Sequence, residues 1–309
     1  MRSPVVLGFD ISETRIAVAA TDTVGARLGS DVVSTHAERS TADCLARAVA
    51  AARALLERVA PGRATIGVGV SLLSVLADRG SVVSSAGRGW SSRAVAHGLT
   101  SAFGGARVRV ATDVMAAARV EAEYGSLADA DPAIYLNLGT GLAVAIVVGG
   151  EVLLGRNGTA GGIGRNLRRI ADVGQPAEDR ILLEEAVSGK ALLQHALAAL
   201  PGVNSACHVL TDKARDPQLA ALVEEFTIEL AFHLTNLAIA VDPERIAVGG
   251  SMARAWDVLY PPLNRALATA VPNPPDLVPA DFPLNTPFLG ALALGQAAAR
   301  DALADVAHA

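Results

Sequence analysis

Residues 9–18 read FDISETRIAV. An apolar run that begins at Val5 ends in Asp10, and a second begins at Ile16, so the stretch has the form of two strands joined by a short polar turn. The turn is chemically marked. Asp10 brings a carboxylate, while Ser12 and Thr14 bring hydroxyls, which suits a turn that holds a phosphate. Ser12 and Glu13 stand where such a turn ordinarily has glycine, whose missing Cβ lets backbone amides approach an anion. If the turn demands a left-handed backbone at Ser12, serine costs about 1–2 kcal/mol there. A Glu13 carboxylate aimed at a triphosphate would repel it, so Glu13 is expected to point away, toward Arg15 or solvent.

The arrangement returns in the second half. Ala133–Asn137, Leu142–Val148 and Glu151–Leu154 read as strands, joined by Gly139-Thr140-Gly141 and then by Gly149-Gly150. Between the two hairpins lie a helix over Thr41–Val59 ended by Pro61-Gly62, a buried strand over Ala64–Val70, and loop-rich sequence to Trp90. Next come a helix over Arg93–Phe103, a strand over Arg107–Ala111 and a helix over Val114–Tyr124. Beyond the second hairpin, helices are expected near Arg180–Glu185, Gly189–Ala199 and Gln218–Ala240. A strand, Arg245–Val248, then runs into Gly249-Gly250-Ser251. Each half thus opens on a strand hairpin around a small-residue turn, a weak repeat of architecture rather than of sequence. The expected division is an N-terminal lobe, 1–116, joined by a C-terminal helix, 290–309, and a C-terminal lobe, 117–289.

At 309 residues the chain is long enough for two cores, and with half of it apolar but only 4% aromatic, those cores are Ala, Val, Leu and Ile. Net charge is −5 without a long basic run, which argues against nucleic acid as a partner. No apolar run reaches the length of a membrane span, and the N-terminal apolar run is too short for a signal peptide. Cys44 and Cys207 fit no metal-ligand spacing and read as buried thiols in a reducing compartment, so the expected location is the cytoplasm.

Three small-residue turns follow strands: Asp10–Thr14, Gly139–Gly141 and Gly249–Ser251. Singly, each is an ordinary turn; their order and spacing raise the phosphate-binding reading. Asp113, in VRVATDVMAAA, stands just past a strand and before a helix. That position suits a helix N-cap, and equally a carboxylate aimed from a strand end as a general base.

These residues are where the chain resembles the ROK family of sugar kinases and repressors, within the actin, hexokinase and Hsp70 superfamily. The resemblance rests on FDISETRIA, IGVGV followed by GRGW, ATDVMAAA, LGTGLAVAIVVGGEVLLGRNGTAGGIG, LEEAVSG, DPERIAVGG and PFLGALALG, in that order. It implies an α/β, two-lobed actin-like ATPase (ribonuclease H-like) fold with a mixed sheet and helices in each lobe. It also implies an ATP-dependent kinase acting on a sugar or sugar-like cyclitol, most naturally at a primary hydroxyl. In those terms Asp10 acts through Mg²⁺, while Ser12, Thr14, Gly139, Thr140 and Gly141 hold the phosphates. Gly249 and Gly250 lie against the adenosine. Asp113 is the base that takes the proton from the attacking hydroxyl, and Thr112, Gly161, Arg165 and Glu184 line the substrate site. A homodimer is the assembly that the resemblance implies.

The chain also departs from the family pattern. The stretch RNLRRIADVGQPAEDRILL holds no cysteine where the family carries its zinc ligands, so zinc is not expected and packing or ion pairs must hold the loop. Gly162 and Arg165 replace a Glu and a His that grip the sugar near its anomeric end, while Glu184 and Asp113 are kept. Thr112 stands where Asn is common. Losing two hydroxyl partners changes the substrate rather than merely weakening it, which makes a carbasugar or cyclitol a candidate. Arg165 either meets an anionic or ring-modified substrate or pairs with a carboxylate such as Asp172, and the ion pair is the plainer expectation. The alternative to a kinase is a non-catalytic sugar sensor. A DNA-binding repressor is disfavoured because the first hairpin begins within ten residues of the N-terminus.

Overall fold

The computed structural model describes residues 3–307 apart from 13, 36–39, 73–74, 77–89, 201 and 283–285. Glu13, Gly87 and Gly89 lie outside the described residues. The chain forms two compact units: Met1–Val120 with Leu154–Thr159 and Asn285–Ala309, and Glu121–Leu153 with Ala160–Leu284. Among the described residues no helix is long and apolar enough to cross a membrane.

In the first unit β1 (Val5–Ile11), β2 (Arg15–Asp22) and β3 (Arg27–Ser34) form an antiparallel meander. Helix α1 (Thr41–Val59) leads to β4 (Thr65–Leu72), which lies parallel to β1. The two-residue strands β5 (Val75–Leu76) and β6 (Trp90–Ser91), helix α2 (Ser92–Ala102) and β7 (Arg107–Thr112) follow. The sheet order is β3-β2-β1-β4-β7. Helix α3 (Asp113–Tyr124) leaves the last strand, and its final turn belongs to the second unit.

Alternation along the strands assigns the two faces. Leu7, Phe9 and Ile11 meet Cys44, Ala48 and Leu55 of α1 and Leu99 of α2, and the Phe9 and Phe103 rings lie 6.2 Å apart. Helix α1 starts sharply because Ser40 and Asp43 cap each other: the Asp43 amide donates to Ser40 Oγ at 3.2 Å, and the Ser40 amide donates to Asp43 at 3.3 Å. Such a box is worth about 1 kcal/mol.

The second unit repeats the plan. The hairpin β8 (Ala133–Leu138), β9 (Leu142–Val148) and β10 (Glu151–Val152) is followed by α4 (Leu183–Ala186), α5 (Gly189–Ala199), α6 (Ala206–Thr211) and α7 (Pro217–Val241). Then come β11 (Arg245–Gly249), α8 (Trp256–Ala270) and β12 (Asp276–Pro279), giving the order β10-β9-β8-β11-β12. Ile134, Leu136 and Val144 of the sheet pack with Phe226, Leu230 and Leu234 of α7 and Leu259, Leu263 and Leu267 of α8. Asp216 caps α7 by accepting the Gln218 and Leu219 amides, and Asp242, at φ 52°, ends it. Glu121, fully buried, ties the end of α3 to the chain beyond β12: it accepts from Ser126 and from the amides of Asp281 and Phe282.

The periodicity does not anticipate α8, because Pro261 and Pro262 lie inside it. Each proline interrupts a helix at a cost of about 3 kcal/mol. Burial of Leu259, Leu263 and Leu267 along one side outweighs it. The helix expected near Arg180–Glu185 is only the single turn α4, with Arg180 extended at φ −133°. Cys207 is partly exposed rather than buried.

The last helix, α9 (Thr286–Ala307), returns to the first unit and covers the second face of its sheet. There Gly8, Gly67 and Gly69 present no side chains. A methyl on Gly69 would overlap the Ala291 carbonyl and the Gly295 amide, and one on Gly67 would overlap the Gly295 carbonyl. Helix backbone therefore lies directly on strand backbone. Arg109 pairs with Asp301 at 2.8 Å, and Gln296 donates to Thr21 Oγ1 at 2.7 Å. Gly69→Ala is accordingly expected to destabilise the fold by about 1–3 kcal/mol, the usual cost of forcing a methyl into a closed contact. The measurement is the urea midpoint; an unchanged midpoint would contradict the contact.

Candidate functional site

In the first unit the register brings the marked residues to one end of the sheet. Asp10 pairs with Ala17 on β2 and Ser71 on β4, Ser71 pairs with Ala111, and Leu72 pairs with Thr112. β1, β4 and β7 are parallel, so Asp10 and the Thr112-Asp113 step stand at the C-terminal ends of the strands, two strand spacings or roughly 10 Å apart. In open α/β sheets that end is where ligands are met.

Asp10 is 7% exposed. Burial pushes its carboxyl above the usual carboxylate range, against the opposing pull of the neighbouring Ser71 hydroxyl and the Arg15 charge. The Ser71 hydroxyl, itself fully buried, lies near enough to Asp10 to favour its charged form, yet it meets full hydrogen-bond geometry with none of the described groups. A buried carboxyl whose charge is costly, beside a buried hydroxyl, is a pair of oxygen groups of the kind that a cation or its water satisfies.

The turn after Asp10 is closed by Ser12. Its amide donates to the Arg15 carbonyl at 2.9 Å, and its hydroxyl donates to the same carbonyl at 3.1 Å and accepts from the Arg15 amide at 3.3 Å. Among the described non-glycine residues only Asp129 and Asp242 have positive φ. Ser12 is therefore unstrained, and the left-handed cost considered from sequence does not arise: the hydroxyl stabilises the turn that glycine would have left bare. Thr14 is exposed, and its carbonyl accepts from the Thr35 amide at 3.1 Å. The expectation about Glu13 falls outside the described residues.

At the other strand end the capping role goes to Thr112, whose Oγ1 accepts from the Met115 amide at 3.2 Å. Asp113 is instead the first residue of α3, with Oδ1 accepting the Val114 amide at 2.9 Å. The rotation of the carboxylate is thereby fixed.

In the second unit the two glycine turns are neighbours. Asn137 at the end of β8 pairs with Gly249 at the end of β11. A methyl on Gly139 would lie 3.7 Å from the Ser251 amide, and one on Gly250, at φ 87°, would overlap the Leu138 carbonyl. Only glycine fits at Gly250. Gly249 lies over the buried Tyr135 phenol. The Gly139 and Thr140 carbonyls accept the Gly189 and Lys190 amides at the start of α5, at 2.8 and 3.2 Å. The turn thus spends its carbonyls on a helix, and no hydrogen bond within it uses the Thr140 or Gly141 amide. Ser188 and Lys190, which order α5 against the turn, were not singled out by sequence; their only signal is the VSGK that follows Glu184.

Glu184 sits beside this turn, its Oε2 accepting the Leu142 amide at 3.1 Å. Gly161, at φ 81°, gives its carbonyl to the Val144 amide at 3.1 Å and so lies along β9. A tight turn over Ile163–Arg165 then sets Gly164 against the Leu142 carbonyl and Glu184 Cβ. Arg165 is exposed, and it does not pair with Asp172 as expected. Asp172 is taken by its own neighbours: it accepts the Arg168 and Arg169 amides, each at 3.0 Å, and pairs with the Arg169 guanidinium at 3.3 Å. Burial opposes ionisation of Asp172, but those amides and the Arg169 charge outweigh it and hold its carboxyl below the usual range. The loop is further pinned by the Arg168 and Glu229 pair, at 2.8 Å through Nη2, and by Arg180, which reaches the carbonyls of Arg165 and Asn166. Asp172 and its partners Arg168 and Arg169 are four residues apart at most, and sequence spacing alone does not rank them above Arg165.

Comparison with known proteins brings in related chains. The model of the ROK family matches residues 6–298. A glucokinase of Halalkalibacterium halodurans is 30% identical over 187 residues, covering 55% of this chain and 56% of its own length. The chain thus spans about half the length of that relative. A kanosamine kinase of Amycolatopsis mediterranei is 27% identical over 279 residues, 88% of each chain. The crystal structure of a ROK hexokinase from Thermus thermophilus superposes with a TM-score of 0.79 at 25% identity, covering 96% of this chain and 99% of that one.

Proposed function

From the premise that this chain belongs to the ROK family, we propose that it is an ATP-dependent kinase that phosphorylates a hydroxyl, of the primary, hexose-6 kind, on a sugar or sugar-like cyclitol. The observation that carries this reading is the pairing of Asp10 and Asp113 at one end of β1, β4 and β7. Phosphoryl transfer asks little of a protein beyond positioning, charge neutralisation and a proton acceptor. The two carboxylates differ in the way those tasks require. Asp10 is buried and driven toward its neutral form, the condition of a carboxylate that takes its charge when a cation arrives. Asp113 is anchored at the start of a helix, where the Val114 amide sets its orientation.

Among the described residues no three His, Cys, Asp or Glu side chains gather as a metal site. Mg²⁺ is ordinarily held by one or two carboxylates together with phosphate oxygens and water. Asp10 would hold it, with Ser71 as a nearby water partner. When bound, the ion neutralises charge on the ATP phosphates. The Thr140 and Gly141 amides, with Thr14, serve the phosphates. Gly249 and Gly250 leave a bare surface for the adenosine. Asp113 accepts the proton of the acceptor hydroxyl as that oxygen attacks the γ-phosphorus, and ADP leaves. Thr112, Gly161, Arg165 and Glu184 serve the acceptor. The place of action in this reading is the cytoplasm, where ATP is supplied.

The relatives are glucokinase and kanosamine kinase by name, so the acceptor class extends from plain to amino-substituted hexoses. The loss of side chain at Gly162 favours a ring unlike free glucose, such as a cyclitol. Coupled ADP release against hexoses, amino sugars and cyclitols is the test. Turnover with at least one acceptor, and better on a substituted or carbocyclic ring than on glucose, is expected. Strong activity on plain glucose would remove the cyclitol preference, and absence of turnover with every acceptor would favour a sensor.

A further inference from the structure

The segment 162–182 contains four arginines, and three are committed through their guanidinium groups. Arg168 holds Glu229, Arg169 holds Asp172, and Arg180 holds two main-chain carbonyls. Among the described residues Arg165 makes no ion pair or hydrogen bond through its side chain, and it does not take Asp172 although both lie in the same loop.

Its backbone, by contrast, is held at both ends. Upstream, the Gly161 carbonyl accepts from Val144 at 3.1 Å, and Gly164 is wedged against Leu142 and Glu184. Downstream, Arg180 donates to the Arg165 carbonyl at 2.8 Å and to the Asn166 carbonyl at 3.1 Å, with its Nε buried. The Asn166 side chain lies 3.5 Å from Nδ1 of His233, which is itself 5% exposed. Gly162 is exposed and adds no side chain beside Arg165. An uncommitted guanidinium thus stands on a fixed turn, next to bare backbone and one residue from the wall made by Glu184. A planar fork of donors matches carboxylate and phosphate oxygens, and a preset backbone lowers the ordering cost of using it.

We propose that Arg165 is a specificity-determining residue that takes an anionic group, a carboxylate or a phosphate monoester, on the acceptor, and that Arg180 is its positioning residue. This rests on the acceptor-kinase reading above and deepens it: the preferred substrate is a sugar or cyclitol that already carries a negative charge.

The test compares glucose, gluconate and glucose 1-phosphate, which share the primary hydroxyl: glucose 1-phosphate adds a charge at the other end of the same ring, and gluconate carries its carboxylate there on an open chain. ADP release is followed in wild type, R165A, R165K, R165E, R180A and R180K. In wild type, kcat/KM for one of the two anions should exceed that for glucose at least tenfold, and which of the two does so separates carboxylate from phosphate. R165A should collapse that ratio roughly tenfold to a hundredfold, the effect of losing a charge-assisted pair, and R165E should lower it further. R165K should restore it in part. R180A should raise KM for the anion more than it lowers kcat, with partial rescue by R180K, a split that loss of folding would not produce. Calorimetric titration of the same anions into wild type and R165A without ATP measures binding directly. A wild-type ratio near one, with equal binding to R165A, overturns the proposal and leaves the kinase intact. Arg165-dependent binding without ADP release from any acceptor keeps the anion subsite and overturns the kinase.

Discussion

An Asp113→Asn enzyme is expected to turn over its acceptor about 10²- to 10⁴-fold more slowly than wild type, the contribution of a positioned general base, with both Michaelis constants changed far less. Asparagine keeps the size of the side chain and an oxygen for the Val114 amide. The start of α3 is not at risk either, because Thr112 rather than Asp113 accepts from Met115. What is removed is the negative charge and, with it, the capacity to take a proton. Coupled ADP release at saturating ATP measures kcat, and a thermal melt of the same preparation checks the fold. Full turnover would refute the assignment. A melting temperature that falls in step with activity would make Asp113 a structural residue.

Asp10→Asn should move activity and stability in opposite directions. Loss of the carboxylate is expected to lower kcat by on order of 10²–10³, the scale for removing a preorganised charge contact from a phosphoryl-transfer site. The protein without nucleotide should nevertheless melt higher. Burial raises the folded-state pKa of Asp10 above its unfolded value, so the folded state binds the proton more tightly. The stability linked to this group is therefore fully present below the unfolded carboxylate pKa and is lost as pH rises through the folded one. As pH rises the wild type bears a growing cost of burying a charge, and Asn does not. The melting-temperature gap between D10N and wild type should be widest at neutral pH and close as pH falls below the ordinary carboxylate range. Mg²⁺ with ATP should raise the wild-type melting temperature and leave D10N nearly unmoved. A variant less stable than wild type at pH 7 would mean that Asp10 serves the fold, not a ligand.

Both predictions rest on residues legible in the sequence, while their reasons are not. FDISETRIAV identifies a hairpin with an acidic turn, because strand alternation and turn chemistry act over two to four residues. The same holds for Gly139-Thr140-Gly141. The sequence pattern assigns no element to residues 256–270, where packing stabilises a helix across Pro261 and Pro262. Ser12 was read as a missing glycine because composition does not disclose the φ angle; its hydroxyl closes the turn instead.

Sequence alone therefore determined the parts: two strand hairpins around small polar turns, a helix-rich remainder, and the candidates Asp10, Asp113, Thr140, Gly250 and Glu184. Tertiary structure alone decided how they are used. The parallel register of β1, β4 and β7 brings Asp10 and Asp113 to one sheet end from about a hundred residues apart. Burial under neighbouring strands, rather than any local signal, sets the charge preference of Asp10. Ion-pair choice is settled the same way: Asp172 goes to Arg169 and Glu229 to Arg168, so Arg165 is left uncommitted. A carboxylate pairs with whichever cation the folded backbone places nearest, and that distance does not exist until the chain has folded.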